Sequence, residues 1–172
     1  LRSAMWTFLV MQYIDSITEG QFMPHTQMIT GSSGGMIGAA YFRELYLRKI
    51  LGDSINLCDD QFVENLTQDI LNPLAFTIAV NDLFLRLQKF EYNGHSYTKD
   101  RGYAFEKQLN ENLNGVLDKP LSAYYEAEKH AIIPTMLLTP VITNDGRRLI
   151  ISSQNISYLV NSDPLPGTSY SP

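Results

Sequence analysis

The stretch Thr26-Gln27-Met28-Ile29-Thr30-Gly31-Ser32-Ser33-Gly34-Gly35 decides the fold class of this chain. Residues His25 to Thr30 predict a short strand, and Gly31 to Gly35 predict a tight turn. A long helix is predicted from about Gly35 to Leu51, ending at Gly52-Asp53. A strand that passes through a glycine turn directly into a helix is typical of an α/β sheet domain.

A helix is also predicted immediately before this stretch, over residues 3 to 18, because its apolar residues recur at helical spacing. Met5, Phe8 and Met11 make the second side of that helix apolar as well. We therefore expect the helix to be buried between the sheet and an outer layer, with Gly20 as its stop. The expected fold is a three-layer α/β/α arrangement.

The rest of the chain is predicted to be helical in its middle and to return to strands near its end. The predicted elements are a helix at 62–70 ended by Asn72-Pro73, helices at 76–87, 100–113 and 120–129, a loop at 91–95, and strands Thr135–Thr143 and Arg148–Ser153 joined by Asn144-Asp145-Gly146.

The composition limits the kinds of partner that the chain is expected to bind. The chain has 172 residues, 44% of them hydrophobic, and a net charge of −5, which argues against nucleic acid as a partner. Cys58 is the only cysteine, so no intrachain disulfide is possible, and we expect it to be a small buried hydrophobic residue. A location in the cytoplasm or at the periphery of a membrane is expected, with membrane contact that is transient.

Ser33 is the candidate nucleophile, because a serine on a sharp strand-to-helix turn is forced outward. Such a turn requires neighbours without side chains, and Gly31 and Gly35 meet this requirement. The helix that begins there directs free N–H groups at the same point, and Gly34 is expected to donate to a developing oxyanion. The alternative interpretation is a glycine turn that only packs tightly or holds a phosphate.

The sequence resembles the patatin-like phospholipases, serine lipid acyl hydrolases with bacterial members. In that family a glycine-rich loop, G-G-G-x-[RK]-G, leads through a helix and a strand to G-x-S-x-G. Leu1-Arg2-Ser3 is similar to the end of that loop, with Ser3 where the family usually has glycine, and Gly31 to Gly35 matches the second motif. Ile133 to Ser153 resembles the hairpin region of the family. The resemblance is specific from Leu1 to about Leu51.

The resemblance implies hydrolysis of lipid or phospholipid acyl esters by a Ser-Asp dyad without cofactor or metal. Arg2 would help to set the oxyanion loop or meet a head-group phosphate. The dyad aspartate is expected beyond Pro172, because Asp145-Gly146 is predicted to be a turn and so is Asp163. We expect residues 1–172 to be a single incomplete catalytic domain, truncated at both ends.

Two other functions stay open. An esterase of the α/β-hydrolase type would need a Ser-His-Asp triad, with His95 or His130 as base and an acid between Asp53 and Asp82. A scaffold domain would keep the fold without the chemistry. The apolar positions from Phe76 to Leu87 are expected to pack in the core rather than to form an interfacial lid.

Overall fold

The computed structural model describes residues 2–79, 89–92 and 94–160. Within these ranges the chain is a mixed α/β protein, which confirms the predicted class at that level. In chain order the elements are α1 (Arg2–Ile17), β1 (Met28–Gly31), α2 (Ser33–Ile50), α3 (Asp60–Thr67), α4 (Leu71–Thr77), β2 (Lys89–Tyr92), β3 (His95–Thr98), α5 (Arg101–Asn112), a 3-10 helix (Leu121–Tyr124) that continues into α6 (Tyr125–Lys129), β4 (Thr135–Leu138) and α7 (Ser157–Val160).

The central pair of strands is parallel. β1 pairs with β4 from Met28 opposite Thr135 to Gly31 opposite Leu138. Both strands are shorter than predicted. β4 ends just before Thr139-Pro140, where proline lacks the N–H that a ladder needs, and only isolated bridges connect it to the following segment. The turn predicted around Asp145 is present, with Asp145 accepting hydrogen bonds from Arg147.

α1 and α2 pack so closely that their backbones touch. A Cβ atom placed on Gly38 would lie 2.1 Å from the carbonyl oxygen of Ala4. Below this contact Phe8 packs against Tyr41 and Phe42, at ring centroid distances of 5.2 and 5.6 Å. These residues belong to the main hydrophobic core, which therefore lies largely between the two helices.

The prediction that α1 is buried on both sides is wrong. Ala4, Phe8 and Met11 are buried, but Trp6 and Tyr13 on the opposite side are 68% and 67% exposed. Periodicity shows that a side is apolar, whereas only the position of other elements shows whether it is covered.

Four further sequence predictions are corrected. The helix predicted over 62–70 already ends at Thr67, and Asn72-Pro73 lies in the first turn of α4, where the missing proline N–H has no helical acceptor to lose. Glu91 and Tyr92 lie in β2 and His95 lies in β3, an antiparallel pair, where a loop was predicted. Cys58 is exposed rather than buried. Phe76 is also exposed, and the predicted core positions Val80 to Leu87 lie outside the described residues.

In the described ranges, none of the helices combines the length and the apolar character needed to cross a bilayer.

Asp15 is a buried carboxyl group in the α1–α2 contact, and its Oδ1 has no hydrogen-bond partner within the described part of the chain. Burial raises its pKa, against a smaller lowering by Lys49. The folded protein thus binds this proton more tightly than the unfolded chain. The stability that protonated Asp15 contributes is present below the unfolded pKa of about 4 and is lost as the pH rises through the raised folded pKa.

Asp15→Asn should therefore raise the free energy of unfolding at neutral pH, and this gain should shrink as the pH falls through the raised folded pKa and vanish below the unfolded pKa of about 4. Urea unfolding over a pH series measures this. Asp53→Asn, at an exposed aspartate with no such burial, is the matched control. A gain for Asp15→Asn that does not vary with pH would contradict the assignment.

Gly38→Ala should destabilise the fold by about 2–3 kcal/mol, although alanine normally favours a helix over glycine. The reason is the backbone of Ala4, which cannot rotate away as a side chain can. Gly35→Ala is the control on the same helix, because its added Cβ would meet only the Thr7 hydroxyl at 3.2 Å. Equal stabilities of the two variants in chemical unfolding would refute the close contact.

Candidate active site

Ser33 adopts a backbone conformation that is unusual for its position. Its φ is +61°, in the left-handed region that L-residues other than glycine seldom enter. Among the described residues, three other non-glycine residues have positive φ, namely Glu19, Asn114 and Ala131, and each follows the C-terminal end of a helix. Left-handed residues commonly close helices there, whereas Ser33 opens one. The strain at Ser33 is thus of the kind that is retained at functional turns.

The strand and the helix hold this turn from both sides. The Gly31 carbonyl accepts hydrogen bonds from the Thr139 N–H at 2.9 Å and from its hydroxyl at 3.0 Å. Ser32 caps α2 with an extended backbone, φ −145°, and makes no side-chain capping bond. The first N–H groups of α2 have no intrahelical acceptor, so they remain available for an oxyanion.

Two glycines of the motif have close side-chain neighbours. A Cβ atom on Gly34 would lie 2.3 Å from the Ser3 hydroxyl, and one on Gly31 would lie 3.0 Å from the Met36 sulfur. The N-terminus of α1 therefore lies directly beside Gly34. A side chain at position 34 would fit only if the Ser3 hydroxyl turned away.

A cavity of about 360 Å³ opens beside Ser33. Its walls are almost entirely apolar, and its volume lies in the range of small-molecule sites. The lining runs along one side of α2 and is completed by α5, the segment after it, β4 and Ile151; the residues are Ser32, Ser33, Met36, Ile37, Ala40, Arg43, Leu109, Leu117, Lys119, Leu121, Tyr124, Met136, Leu138, Thr139, Pro140 and Ile151.

The end of the cavity far from Ser33 is polar. Arg43 is 1% exposed, pairs with Glu128 and donates to the Pro134 carbonyl at 2.9 Å. Its guanidinium lies 4.5 Å from the ring centre of Tyr124. Glu128 also accepts from Ser153, so one buried ion pair connects α2, α6 and the segment after β4.

Glu44 adds a second set of charges at the same end. It is fully buried and binds Arg48 at 2.8 Å and Lys119 at 2.5 Å. Burial raises the pKa of Tyr124, and the nearby Glu44 carboxylate raises it further, so this phenol stays protonated at neutral pH. Tyr124 is therefore a hydrogen-bond donor and not a base.

The cavity contains neither of the proposed bases. Among the described residues that line it there is no histidine and no carboxylate. His95 and His130 are exposed, and His130 pairs with Glu126 at 3.4 Å. Asp145 is held at the turn by Arg147, which lowers its pKa. Asp163 lies outside the described residues.

Arg2 does not line the cavity of Ser33. It is exposed at the start of α1 and borders a separate cavity of about 350 Å³ together with Met5 and Phe105. The turn residues Gly31 to Gly35 are thus brought together as predicted, and Arg2 lies apart from the cavity that adjoins them. No group of three or more potential metal ligands occurs in the described part of the chain.

Sequence reasoning missed Arg43, Lys119 and Tyr124. One signal was available, because Arg43 follows Met36 and Ala40 at helical spacing and so lies on the same side of α2 as Ser33. Lys119 and Tyr124 come from a distant part of the chain, and no local pattern connects them to α2.

No protein-family model matches this chain, and the searches of curated proteins and of solved structures found no match either.

Ser33→Gly should stabilise the protein by about 0.5–1 kcal/mol, because glycine enters the left-handed region without the penalty that serine bears. Thermal or urea unfolding measures the change. Ser32→Gly is the control, since Ser32 has an extended backbone and should lose a few tenths of a kcal/mol at most. A loss of stability in Ser33→Gly would show that the residue is not strained.

Proposed function

We propose that this chain is a serine acyl hydrolase of the patatin-like kind, which cleaves fatty acyl esters of lipids through an acyl-enzyme on Ser33. The observation that supports this most directly is a strained serine at the mouth of an apolar cavity. A polar substrate would find few partners in these walls, whereas an acyl chain gains about 0.8 kcal/mol for each methylene removed from water. The proposal includes the three-layer α/β/α arrangement of the family.

The chemistry proceeds in two steps. The Ser33 Oγ attacks the ester carbonyl carbon while its proton passes to a carboxylate base, and the alcohol departs with that proton. Water then attacks the acyl-serine ester, which releases the fatty acid and restores the hydroxyl. The Gly34 N–H donates to the oxyanion in both steps, and one such donor is worth about 3 kcal/mol. The base comes from outside the described lining of the cavity.

A Ser-His-Asp triad has less support, because His95 and His130 are exposed and do not line the cavity. A non-catalytic scaffold would keep the glycine packing around α1 and α2. A scaffold would not require the strained backbone at Ser33, because a glycine at this position would allow the same packing without strain.

The setting of the reaction follows from its substrate. A lipid ester is presented at a membrane or micelle surface, so transient contact with such a surface is part of the proposal, with the protein in the cytoplasm or at the membrane periphery. The net charge of −5 does not favour attraction to anionic lipid, so apolar contact would carry this interaction.

Ser33→Ala should lower kcat/KM on long-chain p-nitrophenyl esters by at least about a thousandfold, because no other group replaces the nucleophile. Ser54→Ala, at an exposed serine after α2, should leave the rate unchanged. Wild-type activity should be greater on long than on short acyl chains.

A fluorophosphonate probe separates the mechanisms. Labelling of Ser33 that persists in His95→Ala and His130→Ala variants favours the dyad, and loss of labelling in one of them would favour the triad. Equal background hydrolysis by wild type and Ser33→Ala, with both proteins folded, would leave the scaffold function.

A further inference from the structure

We infer that Lys119, held across the far end of the apolar cavity by Glu44, limits the length of the acyl chain that the cavity accepts. That the ligand is an acyl chain rests on the proposed function. The limit on chain length, however, applies to the binding of any alkyl chain. It therefore has a test that does not depend on hydrolysis.

The direction of the cavity follows from the helix that forms its wall. Ser33, Ala40 and Arg43 lie on one side of α2, and Ser33 and Arg43 are about 15 Å apart at the rise of an α-helix. Thr139 binds the Gly31 carbonyl at the Ser33 end. Tyr124 packs on Arg43 at the opposite end. An acyl chain esterified to Ser33 would thus extend toward Arg43.

Lys119 lies at that opposite end and is kept in place by charge. Its Nζ binds Glu44 Oε1 at 2.5 Å and lies 6.0 Å from the ring centre of Tyr124. Glu44 is fully buried, and its second oxygen has no hydrogen-bond partner among the described residues, so displacing the ammonium would leave the buried carboxylate with one ion-pair partner fewer. An alkyl chain cannot compensate for that loss.

The space beyond Lys119 is unsuited to an alkyl chain. A second cavity of about 410 Å³ adjoins the first and shares Leu109, Leu117 and Lys119 with it. Its other lining residues include Glu106 and Asp118, so its walls are more polar. A methyl terminus that passed Lys119 would desolvate these groups without offering them a hydrogen bond.

The test measures the binding of uncharged 1-alkanols, from butanol to hexadecanol, by isothermal titration calorimetry. Affinity in the wild type should rise by about fourfold per methylene and then level off. In Lys119→Ala the levelling should move to chains longer by the few methylenes that fill the space vacated by the lysine side chain, each binding about fourfold tighter, and affinity should level off again before the polar second cavity. Lys119→Arg retains a cation for Glu44 and should restore the wild-type limit.

Lys107→Ala is the matched control, because Lys107 also pairs with a glutamate, Glu111 at 3.7 Å, but lies outside both cavities. It should keep the wild-type limit. An identical limit in Lys119→Ala, or steadily rising affinity in the wild type, would overturn the inference. A limit that shifts in Lys119→Ala when Ser33→Ala shows no loss of hydrolysis would overturn the proposed function and keep the inference.

Discussion

The close approach of α1 to α2 is the contact on which the rest of the site depends. At Gly38 the backbone of α1 occupies the space where any side chain would stand, and the buried aromatic rings of Phe8 and Phe42 pack below. The same approach brings Ser3 against Gly34 at the start of α2. Glycine at positions 34 and 38 therefore lets the two helices pack closely and also leaves the N-terminus of α2 exposed.

Buried charge is the second constraint. Arg43 and Glu128 are almost completely removed from water, and such a pair adds little to stability compared with a well-packed apolar replacement. The pair instead fixes the positions of neighbouring segments, because Glu128 also accepts hydrogen bonds from the Ser153 hydroxyl and from the Met136 N–H at 3.4 Å. The pair thus holds together the elements that wall the cavity, and it makes one end of an otherwise apolar space polar.

Ser33 combines these constraints with local strain. A left-handed serine at the start of a helix persists only where the surrounding structure determines it, and here β1, Thr139 and α2 do so together. Strain retained at one residue, while packing elsewhere is close, is the relation between stability and activity that is expected if the turn is catalytic. The same strain distinguishes Ser33 from its neighbour Ser32 and supports the proposal that Ser33 is the nucleophile.

The sequence by itself determined the local features of this protein. The helices α1, α2 and α5, the glycine turn and the capping residue Asp100 all follow from preferences that act within a few residues. The hairpin at β2 and β3 was also within reach, since Asn93-Gly94 is a common hairpin turn, and it was missed because the polar residues around it suggest a loop.

Only the tertiary structure decided which sides are covered and which distant residues meet. Trp6 is exposed on an apolar helix, and Arg2 lies away from the cavity of Ser33. Lys119 reaches Glu44 across a separation of 75 positions. Periodicity assigns a residue to a side of its own element, but burial and ion pairing depend on the elements that pack against that side. Those contacts arise from the folded chain as a whole, and no local stretch of sequence contains them.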